Sequence, residues 1–226
     1  MSAVSANYLS VQKQLSAAAE KSGRDPADVL LLAVSKTFPG ENIMELYNIG
    51  VRHFGENRIP ELESKKGALP EDIVWHFIGP LQSNKVRKAV RCASVIHSVE
   101  SISLLEKIER IAGEEGKTVD ILLEVNVSGE ASKGGVAPED LDPLAAAAVK
   151  CKNIRFAGLM TMAPLSAEQD ELEKIFSTLA ALKSSLEKKY AVKLEHLSMG
   201  MSGDFETAVA CGSTIIRIGT AIFAGK

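Results

Sequence analysis

The sequence predicts an α/β fold: a single closed (β/α)8 barrel, a TIM barrel, with one extra helix at the N-terminus. Three observations predict it. Eight short apolar runs recur along the 226 residues, each followed by a helical pattern or a helical turn. The first run, Val29-Leu30-Leu31-Leu32-Ala33-Val34-Ser35, does not alternate, so both of its faces are covered. Polar residues collect where the runs end, the place where such barrels carry their working groups. No composition shift or long linker divides the chain, so residues 1–226 read as one domain. An open doubly wound sheet is the alternative, because several of the strands are short.

Each element has its own signal. Residues 5–21 carry Leu9, Val11 and Leu15 and form the leading helix, which Gly23 and Pro26 break. Residues 29–35 are the first strand. Pro39-Gly40 turns the chain, and Ile43, Met44, Leu46 and Tyr47 make a helical stripe ending near Gly50. Residues 51–54 are the second strand, and 59–66 a weak helix. Residues 73–78 are the third strand, followed by a basic helix around 84–91. Residues 94–99 are the fourth strand, and Ser101 caps a helix with Ile102, Leu105 and Ile108 on its apolar side. Residues 119–127 are the fifth and longest strand, and a Gly-rich loop separates it from a helix over 138–150. Residues 154–159 are the sixth strand, and Ser166 caps a helix through Leu186. Residues 193–197 are the seventh strand, with a short helix from Asp204 to Cys211. Residues 215–218 are the eighth, and Gly219-Thr220 leads into a final turn.

Composition narrows the function. With 46% hydrophobic and 24% charged residues, the chain has ample material for a core. Its net charge of -3 supplies no general attraction for nucleic acid, so any anion site must be built locally. Cys92, Cys151 and Cys211 are odd in number and far apart, which predicts reduced thiols in a cytoplasmic protein. The N-terminus lacks a basic segment followed by an apolar leader, and the apolar runs are too short to cross a bilayer, so no membrane partner is expected.

Lys36 is the first candidate. An amine at the end of a buried strand loses hydration, its pKa falls, and it attacks carbonyls. The plainer reading is a rim lysine in a salt bridge. Two small-residue turns, Ser198-Met199-Gly200-Met201-Ser202-Gly203-Asp204 and Arg217-Ile218-Gly219-Thr220, follow strands seven and eight, where this fold often holds phosphate. Glycines let successive N–H groups converge on an anion, and Ser202 and Thr220 add hydroxyls. An amine and an anion cradle together describe a ligand with a carbonyl at one end and a phosphate at the other. Pyridoxal phosphate and a phosphorylated sugar both answer to that.

Arg217, inside an apolar strand, needs an acceptor: a ring nitrogen, a carboxylate, or a structural ion-pair partner. His53, His76, His97 and His196 lie in or beside strands without metal-ligand spacing, so they read as structural and no metal is expected. Lys85, Arg87, Lys88 and Arg91 read as a solvated basic face, and Glu56 and Glu206 as isolated acids.

Several motifs carry a family resemblance. They are Ala33-Val34-Ser35-Lys36, His53-Phe54-Gly55-Glu56-Asn57-Arg58, His76-Phe77-Ile78-Gly79-Pro80-Leu81-Gln82-Ser83-Asn84-Lys85 and Gly158-Leu159-Met160-Thr161-Met162. With them stand the turn 198–204 and Arg217-Ile218-Gly219-Thr220-Ala221-Ile222-Phe223, where Gly225 comes one residue late, after Ala224. From about residue 5 onward the chain resembles the pyridoxal phosphate homeostasis protein family.

That resemblance implies the fold of the alanine racemase N-terminal domain, fold type III among pyridoxal 5'-phosphate proteins. It implies a Schiff base on Lys36 and Arg217 facing the pyridine nitrogen. It places Ser202, Gly219 and Thr220, with backbone near Met201 and Gly203, on the phosphate. Asn57 and Met160 would line the ring pocket, with His196 and Ser198 near it. It also implies a monomer that binds and delivers the cofactor without catalysis, with transient contact with pyridoxal phosphate-dependent apoenzymes.

Arginine cannot easily hand the ring nitrogen a proton, which weakens carbanion chemistry. A racemase needs a proton donor on each face of its substrate, and Tyr8, Tyr47 and Tyr190 lie away from the expected mouth, so no efficient racemase activity is expected. The chain ending after strand eight points the same way. The alternatives are a pyridoxal phosphate-dependent racemase, a Schiff-base phosphosugar lyase, and a scaffold acting through its basic face.

Overall fold

The structure is a computed structural model and describes residues 2–224. Eight parallel strands close into a barrel in chain order: β1 (Leu30–Val34), β2 (His53–Glu56), β3 (Val74–Phe77), β4 (Val95–Val99), β5 (Val119–Glu124), β6 (Ile154–Met160), β7 (His196–Ser198) and β8 (Ile215–Ile218). Closure is the parallel pairing of β1 with β8, with Leu32 opposite Arg217. The open doubly wound alternative is thereby excluded. Around the barrel run α1 (Ala3–Lys21), α2 (Gly40–Tyr47), α3 (Ile59–Ala68), α4 (Val86–Cys92), α5 (Ile102–Glu114), α6 (Leu141–Ala148), α7 (Gln169–Tyr190), α8 (Phe205–Ala210) and α9 (Thr220–Phe223). Gly225 lies outside the described residues.

The core has two compartments. Ile96, Ile121, Leu123 and Leu159 belong to the large apolar cluster shared with the helices. Val95, Leu122, Ala157 and Met160 form a separate small one. Successive strand residues point to opposite faces, so the small cluster lies inside the barrel. Apolar packing fills only part of that interior, which also takes His76, His97, Ser198 and Arg217, all buried.

Several boundaries differ from the sequence expectation, each for a local reason. The α1 stripe is Val4, Tyr8, Val11 and Leu15, and Leu9 falls off it, 40% exposed. Strand β2 starts at His53 rather than 51, because the Val51 N–H closes α2 on the Leu46 carbonyl. That moves Gly55 and Glu56 into the sheet. Strand β5 ends at Glu124, since Val125 turns aside to bridge Val136, and the seven-residue β6 is longer. Ser166 does not cap α7: the Ala167 N–H closes a turn on the Pro164 carbonyl, and the helix begins at Gln169. It then runs to Tyr190, where the Glu187 carboxylate takes the Leu194 N–H and delays β7 until His196. Ser101 does cap α5, accepting the Leu104 N–H.

Candidate functional site

Most of the sequence candidates meet at the carboxy-terminal mouth of the barrel. Lys36 follows β1, Asn57 follows β2, Met160 ends β6 and Ser198 ends β7. Met201, Ser202 and Gly203 form the turn after β7, and Gly219 and Thr220 the turn after β8. Lys36, Ser202, Gly203 and Thr220 are exposed, Asn57, Met201 and Gly219 half-buried, and Met160, Ser198 and Arg217 buried.

The turn after β7 depends on Gly200. Its φ is 97°, and a Cβ there would lie 2.7 Å from the Ala208 Cβ and 3.0 Å from the Phe205 Cα. Only glycine lets the turn lie this close to α8. Asp204 accepts the Met201 N–H, and burial raises its pKa against the opposing pull of that bond and of Arg217.

Arg217 crosses the barrel interior beneath these turns. One guanidinium nitrogen donates to the Ser198 carbonyl at 2.7 Å and to Ser198 Oγ at 2.8 Å, and the other donates to the Thr161 carbonyl at 2.9 Å. Three of its five N–H donors are thus occupied by protein. Burial lowers its pKa to about 10, with Glu124 and Asp204 opposing the shift. A guanidinium at that value is still protonated near neutrality.

Lys36 departs from expectation. It lies two residues beyond β1 and is exposed, so the loss of hydration expected for it is absent from the chain's own packing. The backbone around it is fixed instead. Thr37 sits at φ 67°, a left-handed conformation costly for a β-branched residue, and its N–H is held by Glu61. Ser35 Oγ donates to Glu56 Oε1 at 2.7 Å, and Lys65 Nζ donates to that oxygen at 2.6 Å and to the Ser35 carbonyl at 2.8 Å. Glu56 is therefore no isolated acid. Burial raises its pKa, and its bonds to Lys65 and Ser35 oppose the shift.

Asn57 Oδ1 is buried without a hydrogen-bond partner. Gly79 packs against its backbone so closely that a Cβ would fall 2.2 Å from the Asn57 carbonyl oxygen. Asn57 is one of the residues lining a cleft of about 260 Å³, with Gln82 and Lys85.

With the geometry set, comparison with known proteins decides the lineage. Residues 7–226 match the family described as alanine racemase, N-terminal domain. The pyridoxal phosphate homeostasis protein of Aquifex aeolicus (strain VF5) is 42% identical over 214 residues, covering 94% of each chain. PipY of Synechococcus elongatus PCC7942, solved with PLP bound, superposes with a TM-score of 0.86 at 37% identity, covering 97% of this chain and 99% of that one. The chain belongs to the pyridoxal phosphate homeostasis protein family. Alanine racemase of Clostridium difficile 630 shares the fold alone, with a TM-score of 0.73 at 14% identity over 94% of this chain and 56% of that one.

In this family member one expected site residue is misplaced. His196 opens β7, two residues below Ser198, so it belongs to the opposite, amino-terminal end of the barrel. There it lines a cavity of about 730 Å³ with Tyr8, Arg24, Asp28 and Thr214, beneath α1. Strand direction corrects the expectation: the mouth takes the last residues of a strand, and His196 is the first.

The sequence reading also missed three features. Glu124 ends β5 and is buried, and burial with repulsion from Glu100 raises its pKa to about 7, Arg217 opposing. The Glu56–Lys65 pair went unseen because nothing in the sequence matched the two. His53, His76 and His97 are hydrogen-bonded to one another inside the barrel. Their separations of 23 and 21 residues are each one strand–helix unit, and that spacing was the available signal.

The basic face is partly neutralised. Arg87 pairs with Glu114 and Glu115, Arg91 with Glu115, and Lys88 with Glu63. Asn126 and Ser128 serve the loop after β5, bonding Glu130, Lys133 and each other. No helix among the described residues is long and apolar enough to cross a membrane.

Proposed function

We propose that this chain binds pyridoxal 5'-phosphate at the carboxy-terminal mouth and holds it as a Schiff base on Lys36, as a carrier that keeps the free aldehyde low. The observation that carries this reading is Arg217: a buried guanidinium with two N–H donors left over, lying beneath two glycine turns on the strand next to the one that Lys36 follows. The unpartnered Asn57 Oδ1 is a second sign of a polar ligand. The cofactor bound to PipY, a relative 37% identical, supports the same ligand.

In this reading each residue has one task. Lys36 would hold the cofactor by its aldehyde, its Nζ supplying the amine. Arg217 donates to the ring nitrogen. Ser202, Thr220, Gly219 and the backbone of Met201 and Gly203 hold the phosphate. Asn57, Met160 and Ser198 bound the ring. His196 has no part in it.

The bound cofactor supplies an electron sink, and an arginine partner keeps that sink weak because the guanidinium does not give up its proton. The tyrosines are committed elsewhere. Tyr8 is packed in α1, Tyr47 bonds Asp72, and Tyr190 bonds Asp142. These features support a carrier without turnover, and the proposal is of a cytoplasmic monomer that passes its cargo to pyridoxal phosphate-dependent apoenzymes.

The test is spectroscopic. Adding the cofactor to the purified chain should produce the visible band of a protonated Schiff base, and borohydride reduction followed by peptide mapping should place the label on Lys36. Lys36→Ala should abolish the label with a stability change within about 0.5 kcal/mol, because the side chain is exposed. An equal label in that variant would reassign the amine. Turnover with deuterium exchange at an amino-acid α-carbon would replace the carrier by the racemase alternative.

A further inference from the structure

A line of hydrogen bonds runs from β2 to Arg217 through the barrel. His53 Nδ1 lies 3.0 Å from His76 Nε2, His76 Nδ1 lies 2.9 Å from His97 Nε2, and His97 Nδ1 lies 3.0 Å from Ser198 Oγ. Ser198 Oγ in turn accepts from Arg217. His76 is 2% exposed, His97 and Ser198 0%, so these side chains are closed to bulk solvent, while His53 at the amino-terminal end is half-buried.

Counting hydrogens gives the line a direction. Arginine only donates, so Ser198 Oγ receives at the Arg217 end. If the Ser198 hydroxyl gives its own hydrogen to His97 Nδ1, then His97 Nε2–H donates to His76 Nδ1, and His76 Nε2–H donates to His53 Nδ1. Every polar atom between Arg217 and His53 is then satisfied. In the reverse order, Ser198 Oγ would receive from both Arg217 and His97, and its hydroxyl hydrogen would be left without a protein acceptor among the described residues.

An added proton is opposed as well. Burial holds His76 at about 3 and His97 well below its ordinary value, and Arg217 adds repulsion at His97. The charged or titratable groups around the line are His196 beside the histidines, and Glu124 and Asp204 beside Arg217.

We propose that His97, backed by His76 and His53, is a positioning residue for the cofactor site. Its Nδ1 accepts the hydrogen bond from the Ser198 hydroxyl, which leaves the Ser198 oxygen as an acceptor fixed toward Arg217 and so aims the free N–H donors of Arg217 at the ligand. Each ring in the line carries its hydrogen on Nε2. The ligand part of this inference rests on the function proposed above. The hydrogen order does not.

Two measurements on the full-length protein test it. Nitrogen-15 NMR, with and without cofactor, should show His76 and His97 as Nε2–H tautomers that persist on mild acidification. A hydrogen on His97 Nδ1 would overturn the line, even with cofactor binding intact. The second compares His97→Leu with His97→Asn. The asparagine Oδ1 stands where Nδ1 stood and still accepts from Ser198, whereas leucine fills the space without an acceptor.

Leucine should weaken cofactor binding about tenfold and shift the pH profile of the visible band, and asparagine should restore most of both. A residue that only fills volume would give the opposite order, with leucine equal to or better than asparagine, and that result would refute the assignment. If the leucine variant does not fold, the tautomers of the unaltered chain still decide. Failure of the unaltered chain to bind cofactor would instead sink the proposed function, which the NMR measurement keeps separate.

Discussion

Replacing Lys65 with methionine isolates the buried pair that holds the backbone before Lys36. Lys65 Nζ lies 2.6 Å from Glu56 Oε1 and 2.8 Å from the Ser35 carbonyl, and the two charged side chains are 12% and 0% exposed. Methionine keeps most of the stem and removes the charge. The Glu56 carboxylate then has two outcomes. It stays ionised, at the cost of about 3–5 kcal/mol typical of a broken buried pair. Or it takes up a proton. From its ordinary value of 4.5, protonation costs about 3.4 kcal/mol at pH 7 and about 1.4 kcal/mol at pH 5.5.

The cheaper outcome governs, so the expected destabilisation is about 3 kcal/mol at pH 7 and about 1.4 kcal/mol at pH 5.5. The sign follows from the direction of the shift. A carboxyl raised in the folded state penalises folding wherever the unfolded chain is ionised, and that penalty fades as pH falls toward 4.5. Urea unfolding of the wild type, Lys65→Met and the double variant with Glu56→Gln, at both pH values, measures it. The double variant should recover more than half of the loss at pH 7. An equal loss at both pH values, or no recovery by Glu56→Gln, would refute the reasoning.

Other outcomes follow from the same geometry. Gly79→Ala puts a methyl group 2.2 Å from a backbone oxygen that cannot step aside, so it should cost about 1–3 kcal/mol in unfolding and weaken ligand binding by moving Asn57. Glu124, raised from 4.5 to about 7, should make the fold less stable as pH rises from 5 to 7, with no further change above. Glu124→Gln should gain about 1–3 kcal/mol at pH 8 and flatten that slope, as read by thermal or urea unfolding. Arg87→Glu should leave cofactor binding unchanged in a titration, because its partners Glu114 and Glu115 form a surface cluster remote from the mouth.

The sequence by itself determined the barrel and most of its mouth. Eight apolar runs with intervening helices were legible because strand and helix periodicity is written in neighbouring residues. The turns at 198–204 and 217–220 were legible because glycine announces backbone conformations that other residues avoid. Lys36, Arg217 and those turns were named on that basis, and the parallel register brings them to one end.

Tertiary structure decided how those residues are held. Whether His196 belongs to the mouth depended on where β7 starts, which a carboxylate on α7 settled. Pairing Glu56 with Lys65 required α3 to lie against the ends of β1 and β2. The bond from His97 to Ser198 spans 101 residues and exists only because the sheet closes on itself. Periodicity and turn chemistry are local and leave a mark in sequence. A hydrogen bond across a closed barrel depends on stagger and tilt summed over many strands, and no short stretch of residues records that sum.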